Sequence, residues 1–363
     1  MTWEPNTPFN DLPALPPSGV ELEDQQVLKA AVEARVAVAR LDEATDLIPN
    51  PSVLINTIPL LEAQASSEIE NIVTTTDALF QAAQLDGGHS DPATKETLRY
   101  RSALKLGFEQ LEDRPLTANT AADICSAIRG LRVDVRSQPG TRIANPGTGE
   151  IVYSPPEGSD VIRDKLADWE RFIHSDNKLD PLVTMAVAHS QFEAIHPFSD
   201  GNGRTGRILN ILILHDAGLL RQPVLYLSRY IIKHKNDYYD LLNKVTAQGA
   251  WREWVLYMLE AVQQSALSTT SKVRAIRSLQ EAFVDEFEDV TPGMNNARFA
   301  DVLFTQPYAR IANVVEACKV SRQTAAAWLD ALAAQRALTK IQVGRDRLFV
   351  NENYLELLKR TEL

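Results

Sequence analysis

A run of twelve residues, 196–207, places the residue types that phosphate chemistry needs at close spacing. His196 opens the run, and an imidazole can act as a general base near neutral pH. Asp200 offers a hard carboxylate oxygen, the kind of ligand that Mg²⁺ takes when it bridges phosphates. Gly201 and Gly203 let the backbone come close to a ligand and turn its N–H groups toward it.

The run follows one apolar helical segment and precedes another, 208–212, which predicts a loop that enters the start of a helix. The start of a helix binds anions, because its N–H groups are free and its dipole is positive there. Arg204 and Arg207 are three residues apart, so both can point at one polyanion. Each feature alone is usually structural, but together they indicate phosphoryl or nucleotidyl transfer.

The letters of this run, HPFSDGNGRTGR, match each defining position of the motif HPFx[DE]GNGRxxR. In this the chain resembles the Fic family of protein adenylyltransferases, also called AMPylators. The resemblance implies a mainly α fold: a helical core with a β-hairpin flap, an N-terminal helical region and a small C-terminal winged-helix domain. It also implies ATP and Mg²⁺ as the ligands of the site.

The resemblance assigns roles to the matching positions. His196 would deprotonate a Ser, Thr or Tyr hydroxyl of a target protein, and that hydroxyl would attack the α-phosphorus of ATP and expel pyrophosphate. Asp200 would hold Mg²⁺ between the α- and β-phosphates, and Phe198 would fix the loop by burying its ring. Arg204 would pair with the γ-phosphate and Arg207 would support the β-phosphate. The other motif positions predicted to bind the nucleotide are Gly201, Asn202, Gly203, Thr205 and Gly206.

The adenine end of the nucleotide is placed, in family members, near the helix after the motif, which corresponds here to residues 228–239. Lys233 and Tyr239 are the predicted contacts at this rim, with Tyr230 and Tyr238 beside them. The alternative is that Tyr238 and Tyr239 only pack their helix.

A second short pattern, SSEIEN at residues 66–71, fits the inhibitory pattern [ST]xxxE[GN] of the same family. Ser66 and Glu70 are four residues apart and share one face of a helix. The resemblance implies that Glu70 occupies the fork of Arg204 that the γ-phosphate needs, with Asn71 closing the pattern. The alternative is an ordinary surface or capping glutamate.

Residues 141–158 predict a β-hairpin in an otherwise helical chain. Residues 142–144 and 151–153 are strand-like, and the turn residues 145–149 lie between them. The segment resembles the family's flap, and its free strand edge would hold an extended target segment by main-chain pairing. The alternative is a plain surface hairpin.

The chain as a whole predicts four parts: an N-terminal arm with helices (1–110), a catalytic core (111–268), a linker (269–294) and a winged helix (295–363). We expect 251–267 to be the last core helix, and the acidic stretch 281–292 to belong to the linker. The Pro-rich first twenty residues predict an extended arm on the surface, with a disordered tail as the alternative.

The C-terminal module contains seven Lys or Arg against three acidic residues over 306–350, although the whole chain has a net charge of −11. Lys319 and Arg322 at its recognition helix, with Arg345 and Arg347 in its wing, could contact DNA phosphates. Target recruitment or packing in a homodimer is favoured over DNA binding.

The composition, with 44% hydrophobic and 23% charged residues, is that of a globular protein, and 363 residues predict two or three domains. The start of the sequence lacks the features of a signal peptide, and no apolar stretch is long enough to span a bilayer, so a cytoplasmic protein is expected. Three other functions stay open: removal of AMP by the same site with Glu70, phosphate transfer, and a nucleotide-sensing DNA-binding regulator.

Overall fold

The computed structural model describes residues 3–85, 90–144, 148–287 and 296–360, with only the backbone of 296 and 297. Most of the predicted hairpin tip and the later part of the predicted linker lie outside these ranges. The rest is mainly α-helical, which confirms the predicted class.

The described part of the chain contains fifteen α-helices and five short strands. Their bounds are α1 Gln25–Ala44, α2 Ser52–Ile69, α3 Thr76–Gln84, α4 Pro92–Asp113, α5 Ala118–Arg129, α6 Ser159–His174, α7 Pro181–Ile195, α8 Asn202–Asp216, α9 Ser228–Lys233, α10 Lys235–Gln248, α11 Trp251–Phe287, α12 Asn296–Thr305, α13 Ile311–Cys318, α14 Arg322–Ala334 and α15 Glu352–Lys359. The strands are β1 Ile143–Ala144, β2 Ile151–Tyr153, β3 Tyr308–Ala309, β4 Thr339–Val343 and β5 Asp346–Val350.

Local signals explain several helix ends. Asp91 accepts from the backbone N–H of Thr94, and Pro92 occupies the first helical position of α4. Thr117 caps α5, which ends at Gly130 in the left-handed conformation with φ 68°. These caps fix where α4 and α5 start and stop, and both helices pack against α8.

The core is built around α7, which is buried on nearly all sides. Helices α6, α8, α10 and α11 pack around it, and α1 lies along α11. A helix with apolar residues all round is stable only inside such a bundle. The bundle therefore holds the end of α7 and the start of α8, the two elements that flank the motif, in a fixed relation.

Helix α11 corrects one prediction. We expected the last core helix to end near residue 267, but α11 continues to Phe287. Val273, Ile276 and Gln280 are buried at helical spacing, and Phe283 and Phe287 continue that face. Glu281, Asp285 and Glu286 are exposed on the opposite face, so their charge does not interrupt the helix.

The N-terminal arm packs on the surface from residue 3 onward, which confirms the first of the two alternatives. Leu12 is buried, and the carbonyl of Pro13 accepts a hydrogen bond from Gln191 Nε2 at 2.7 Å. The backbone N–H of Phe9 donates to the carbonyl of Ser154 at 3.0 Å, so the arm runs beside the base of the hairpin.

The predicted hairpin is present: β1 and β2 pair antiparallel, with Ile143 opposite Tyr153. The C-terminal module also has the predicted helix–turn–helix and wing. Its antiparallel sheet has the order β3-β5-β4, and α12 and α15 complete it. Helix α12 packs on α2. No helix in the described parts of the chain has the length and apolar character needed to cross a membrane.

Candidate active site

The motif forms the loop between α7 and α8. His196 follows the last residue of α7 in the left-handed conformation, with φ 50°. Phe198 is fully buried, as predicted. The Asn202 side chain accepts from the N–H of Phe198 at 2.9 Å and donates to its carbonyl at 2.8 Å, so the loop is closed on itself. Gly201, with φ 85°, is the N-cap residue that precedes α8.

His196 as a residue is partly exposed, and the Nδ1 atom of its imidazole is buried. Burial, followed by the positive charge of Arg136, lowers the pKa of His196 to about 4, while the Glu193 carbonyl and the charge of Glu70 act in the opposite direction. The ring is therefore neutral at pH 7 and can accept a proton.

Arg204 and Arg207 are 1% exposed, and both reach the carboxylate of Glu70. Arg204 Nε lies 2.6 Å from Glu70 Oε2, and Arg207 Nη2 lies 2.9 Å from Glu70 Oε1. Arg207 also donates to Ser66, through Nε to the hydroxyl at 2.8 Å and through Nη2 to the carbonyl at 2.9 Å. The two short patterns, 66–71 and 196–207, thus meet in one buried ion-pair cluster.

The start of α8 shows where Glu70 sits. A Cβ placed on Gly203 would lie 2.7 Å from Glu70 Oε1 and 2.9 Å from Arg207 Nη1. A side chain at this position would displace the Glu70 carboxylate from where it lies. Glu70 therefore occupies the place where the free N–H groups and the positive end of the α8 dipole favour an anion.

The segment that carries Glu70 is held at both ends. Glu62, two turns before Glu70 on α2, is buried and accepts from the N–H and the hydroxyl of Ser228 and from the hydroxyl of Tyr100. Burial raises its pKa, and these hydrogen bonds oppose the shift. At the other end Asn71 has φ 63° and accepts from Lys235 Nζ at 3.3 Å.

Asp200 lies at the mouth of the site with 56% of its side chain exposed. It forms an ion pair with Arg129, and its Oδ1 lies 3.6 Å from Arg204 Nη2. In the described ranges, no three His, Cys, Asp or Glu side chains come together to hold a metal ion. A single exposed carboxylate nevertheless fits Mg²⁺ that arrives with a polyphosphate, since Mg²⁺ takes few protein ligands and keeps phosphate and water oxygens.

Thr205 and Gly206 of the motif pack against other parts of the chain. Thr205 is fully buried, and a Cβ on Gly206 would lie 2.6 Å from Glu193 Oε1 and 3.2 Å from the His189 ring. The structure gives Gly206 a clear packing role, close approach to α7, and a contact of either residue with the nucleotide stays a prediction.

Of the residues predicted near the adenine, one is buried and two are exposed. Tyr238 is buried, and its hydroxyl lies 2.8 Å from His189 Nε2, so Tyr238 is a packing residue. Tyr239 is 46% exposed and Lys233 is exposed. Both remain free to contact a ligand, and their role stays a prediction.

Sequence reasoning missed three charged residues of this site. Glu96, on α4, forms an ion pair with Arg204 Nη1. Arg129 pairs with Asp200, and Arg136 contacts the backbone of His196. These residues are 60 to 108 positions from their partners, and nothing in their own segments distinguishes them from surface charges.

The fold and site together define a helical protein with a loop that leads into a helix start. The carboxylate of Glu70, from the same chain, lies at that helix start. Three family models match the chain: the Fic/DOC family N-terminal model over residues 28–109, the Fic/DOC family model over 117–214, and the C-terminal domain of SoFic-like protein adenylyltransferases over 279–354. Together they cover more than half of the sequence. The chain belongs to the Fic family.

Curated relatives are named protein adenylyltransferases. The chain is 30% identical over 112 residues to protein adenylyltransferase Fic of Culex quinquefasciatus, covering 30% of this chain and 21% of that protein. It is 32% identical over 114 residues to protein adenylyltransferase Fic of Nematostella vectensis, covering 31% of this chain and 25% of that protein. The chain thus spans about a quarter or less of these relatives.

Solved structures share the fold. A Fic family protein from Desulfovibrio desulfuricans G20 superposes with a TM-score of 0.57 at 21% identity, covering 90% of this chain and 96% of that chain. A Fic protein fragment from C. elegans superposes with a TM-score of 0.52 at 19% identity, covering 69% of this chain and 74% of that chain.

Proposed function

We propose that this chain is an autoinhibited protein adenylyltransferase, which transfers AMP from Mg·ATP to a Ser, Thr or Tyr hydroxyl of a protein, including itself. The observation that carries the proposal is the position of Glu70. Its carboxylate lies between two buried arginines at the start of α8, where a polyphosphate would bind. A site built to hold an internal anion against two arginines is suited to exchange it for an external one.

His196 acts as the base. The neutral imidazole takes the proton of the target hydroxyl as that oxygen forms a bond to the α-phosphorus of ATP. The bond between the α-phosphorus and the oxygen bridging to the β-phosphate breaks, and pyrophosphate leaves with that electron pair. The proton remains on the imidazole until solvent removes it.

The arginines and the helix start stabilise the charge on the polyphosphate. Arg204 and Arg207 are buried, so their attraction for phosphate is less screened than at a surface. The N–H groups at the start of α8 donate to the same anion. Asp200 is the residue that would hold Mg²⁺, which neutralises phosphate charge and orients the oxygens.

Glu70 inhibits by competition for the arginines. A carboxylate that contacts both Arg204 and Arg207 leaves no fork for the γ-phosphate, so ATP can bind only in a non-productive position. Ser66 supports this state, since Arg207 is also held by its hydroxyl and carbonyl.

The target protein docks along the hairpin, residues 141–158. The short strands β1 and β2 present main-chain groups at an edge, and pairing with an extended segment gives little dependence on its side chains. DNA binding by the C-terminal module and a homodimer are not part of this proposal.

Mass spectrometry after incubation with Mg·ATP tests both the reaction and its control. Wild type, Glu70→Gly, Glu70→Gly with His196→Ala, and the control Glu68→Gly, which changes an exposed residue of the same helix turn, are compared. We expect the mass of one AMP to be added in Glu70→Gly, little in wild type and Glu68→Gly, and none once His196 is replaced. Equal labelling of wild type and Glu70→Gly refutes the inhibition, and labelling without His196 refutes the mechanism. Incubation of AMP-modified protein without ATP tests the reverse function, removal of AMP.

A further inference from the structure

Arg136 is a buried arginine whose contacts are with backbone carbonyls. It is 7% exposed and lies in the segment between α5 and the hairpin. Its Nε donates to the carbonyl of His196 at 2.7 Å, and its Nη2 donates to the carbonyl of Ile195 at 3.3 Å. Its own N–H donates to the carbonyl of Pro197 at 2.9 Å.

The carbonyls of Ile195 and His196 lie at the end of α7, where a helix leaves its last C=O groups without partners, and Pro197 is the next residue of the loop. Arg136 supplies partners to three consecutive carbonyls, and the Tyr153 hydroxyl donates to the preceding one, Ala194, at 2.8 Å. A cation is also favourable at this negative end of the helix dipole.

His196 needs this support because of its backbone. It is not a glycine, yet its φ is 50°, a conformation that L-residues adopt at a cost and that surrounding contacts must hold. The guanidinium fork on the carbonyls of Ile195 and His196 fixes the peptide groups on both sides of the His196 Cα, and this determines where the imidazole projects.

Arg136 also reaches the hairpin. Its Nη2 donates to the carbonyl of Pro156 at 2.6 Å, three residues after the end of β2. One guanidinium therefore ties the backbone of the catalytic loop to the base of the flap on which a target would dock.

We propose that Arg136 is a positioning residue for His196: it holds the left-handed backbone that aims the imidazole and keeps it in register with the flap. The inference rests on the proposed function for its kinetic consequence, but its structural part stands independently. The hydrogen bonds of Arg136 go to Ile195, His196, Pro197 and Pro156 and not to the arginine–Glu70 cluster, so its effect falls on the transfer step and not on nucleotide binding.

The charge of Arg136 provides a second readout, the titration of His196. The charges that act on this ring are Arg136 from the segment after α5 and Glu70 from the end of α2, and the Glu193 carbonyl on α7 also contacts it. Removal of the Arg136 charge should make the ring easier to protonate.

The test compares Arg136→Met, which removes the charge and the fork, with Arg136→Lys, which keeps the charge but cannot span the carbonyls. Both are made in the Glu70→Gly background. We expect both variants to lose roughly 10- to 100-fold in kcat, with the KM for ATP changed by less than about 2-fold. In NMR of ¹³C-labelled histidine, with His196→Ala for assignment, Arg136→Met should raise the His196 midpoint by about one pH unit while Arg136→Lys leaves it in place.

Tyr153→Phe is the matched control, because it removes a donor from the same helix end without changing a charge. It should leave the His196 midpoint unchanged. If circular dichroism shows that Arg136→Met is unfolded, the kcat of Arg136→Lys tests the inference by itself. Full kcat in Arg136→Lys, or an unchanged midpoint in a folded Arg136→Met, overturns the inference. If Glu70→Gly transfers no AMP, the proposed function fails, and the titration still tests the positioning of His196.

Discussion

Replacement of Glu70 should lower the free energy of unfolding of the ligand-free protein, because it removes the carboxylate shared by two buried arginines. Arg204 and Arg207 have side chains 2% and 1% exposed, whereas Glu70 is 22% exposed. Removal of one partner of a fully buried pair costs about 3–5 kcal/mol. The partial exposure of Glu70 and the remaining contacts of Arg204 with Glu96 reduce this to about 2 kcal/mol. For a chain of 363 residues we expect Tm to fall by about 3 °C.

An anion that binds to the two arginines in place of Glu70 should restore this lost stability. Inorganic triphosphate at about 100 times its Kd stabilises a protein by about 2.7 kcal/mol, and in Glu70→Gly nothing competes with it for the arginines. In wild type the bound carboxylate must first leave, so the stabilisation is smaller.

Differential scanning fluorimetry over a triphosphate series measures both effects. Glu68→Gly is the control, since it introduces the same glycine into the last turn of α2 at an exposed position. The reasoning is wrong if Glu70→Gly is as stable as Glu68→Gly, or if triphosphate raises Tm equally in wild type and Glu70→Gly.

Two further predictions follow from buried titratable groups. Burial lowers the pKa of His189 to about 3, so below pH 6.5 the unfolded chain binds a proton that the folded chain does not, and the free energy of unfolding should fall by about 1.4 kcal/mol per pH unit from this group. Burial raises the pKa of Glu193 to about 7, and this group changes the free energy of unfolding in the opposite sense. Urea denaturation of wild type is therefore compared with that of His189→Gln, which should remove the His189 part of the slope of unfolding free energy against pH. Equal slopes in the two proteins would contradict the assignment. Glu62→Gln should loosen α2 and increase AMP transfer in wild type without a further increase in Glu70→Gly, because Glu62 acts through Glu70; a loss of transfer in both backgrounds would show a purely structural role.

Much of the fold was predictable because its signals are local. The apolar segments on either side of the motif, and the strand-like runs and turn residues of the hairpin, each lie within a few residues of the feature they predict. The length of α11 was not predicted, because a charged stretch looks like a linker until the face that packs against the protein is known.

The same distinction applies to the site. The twelve residues of the motif lie in one loop and helix start, so their chemistry could be predicted from type and spacing, and the short pattern at 66–71 gained its meaning only from the motif. Glu96, Arg129 and Arg136 had no such signal, since each is an ordinary charged residue in its own segment.

The sequence by itself determined which groups could do chemistry: an imidazole, a carboxylate, two arginines and a glycine-lined helix start. Only the tertiary structure decided how each group is paired and protonated, because burial and long-range contacts determine which charged groups lie beside it. Helix packing brings α2 against α8 and so gives Glu70 both arginines. It also brings Arg136 to the carbonyl of a histidine sixty residues away, and no local pattern specifies such a contact.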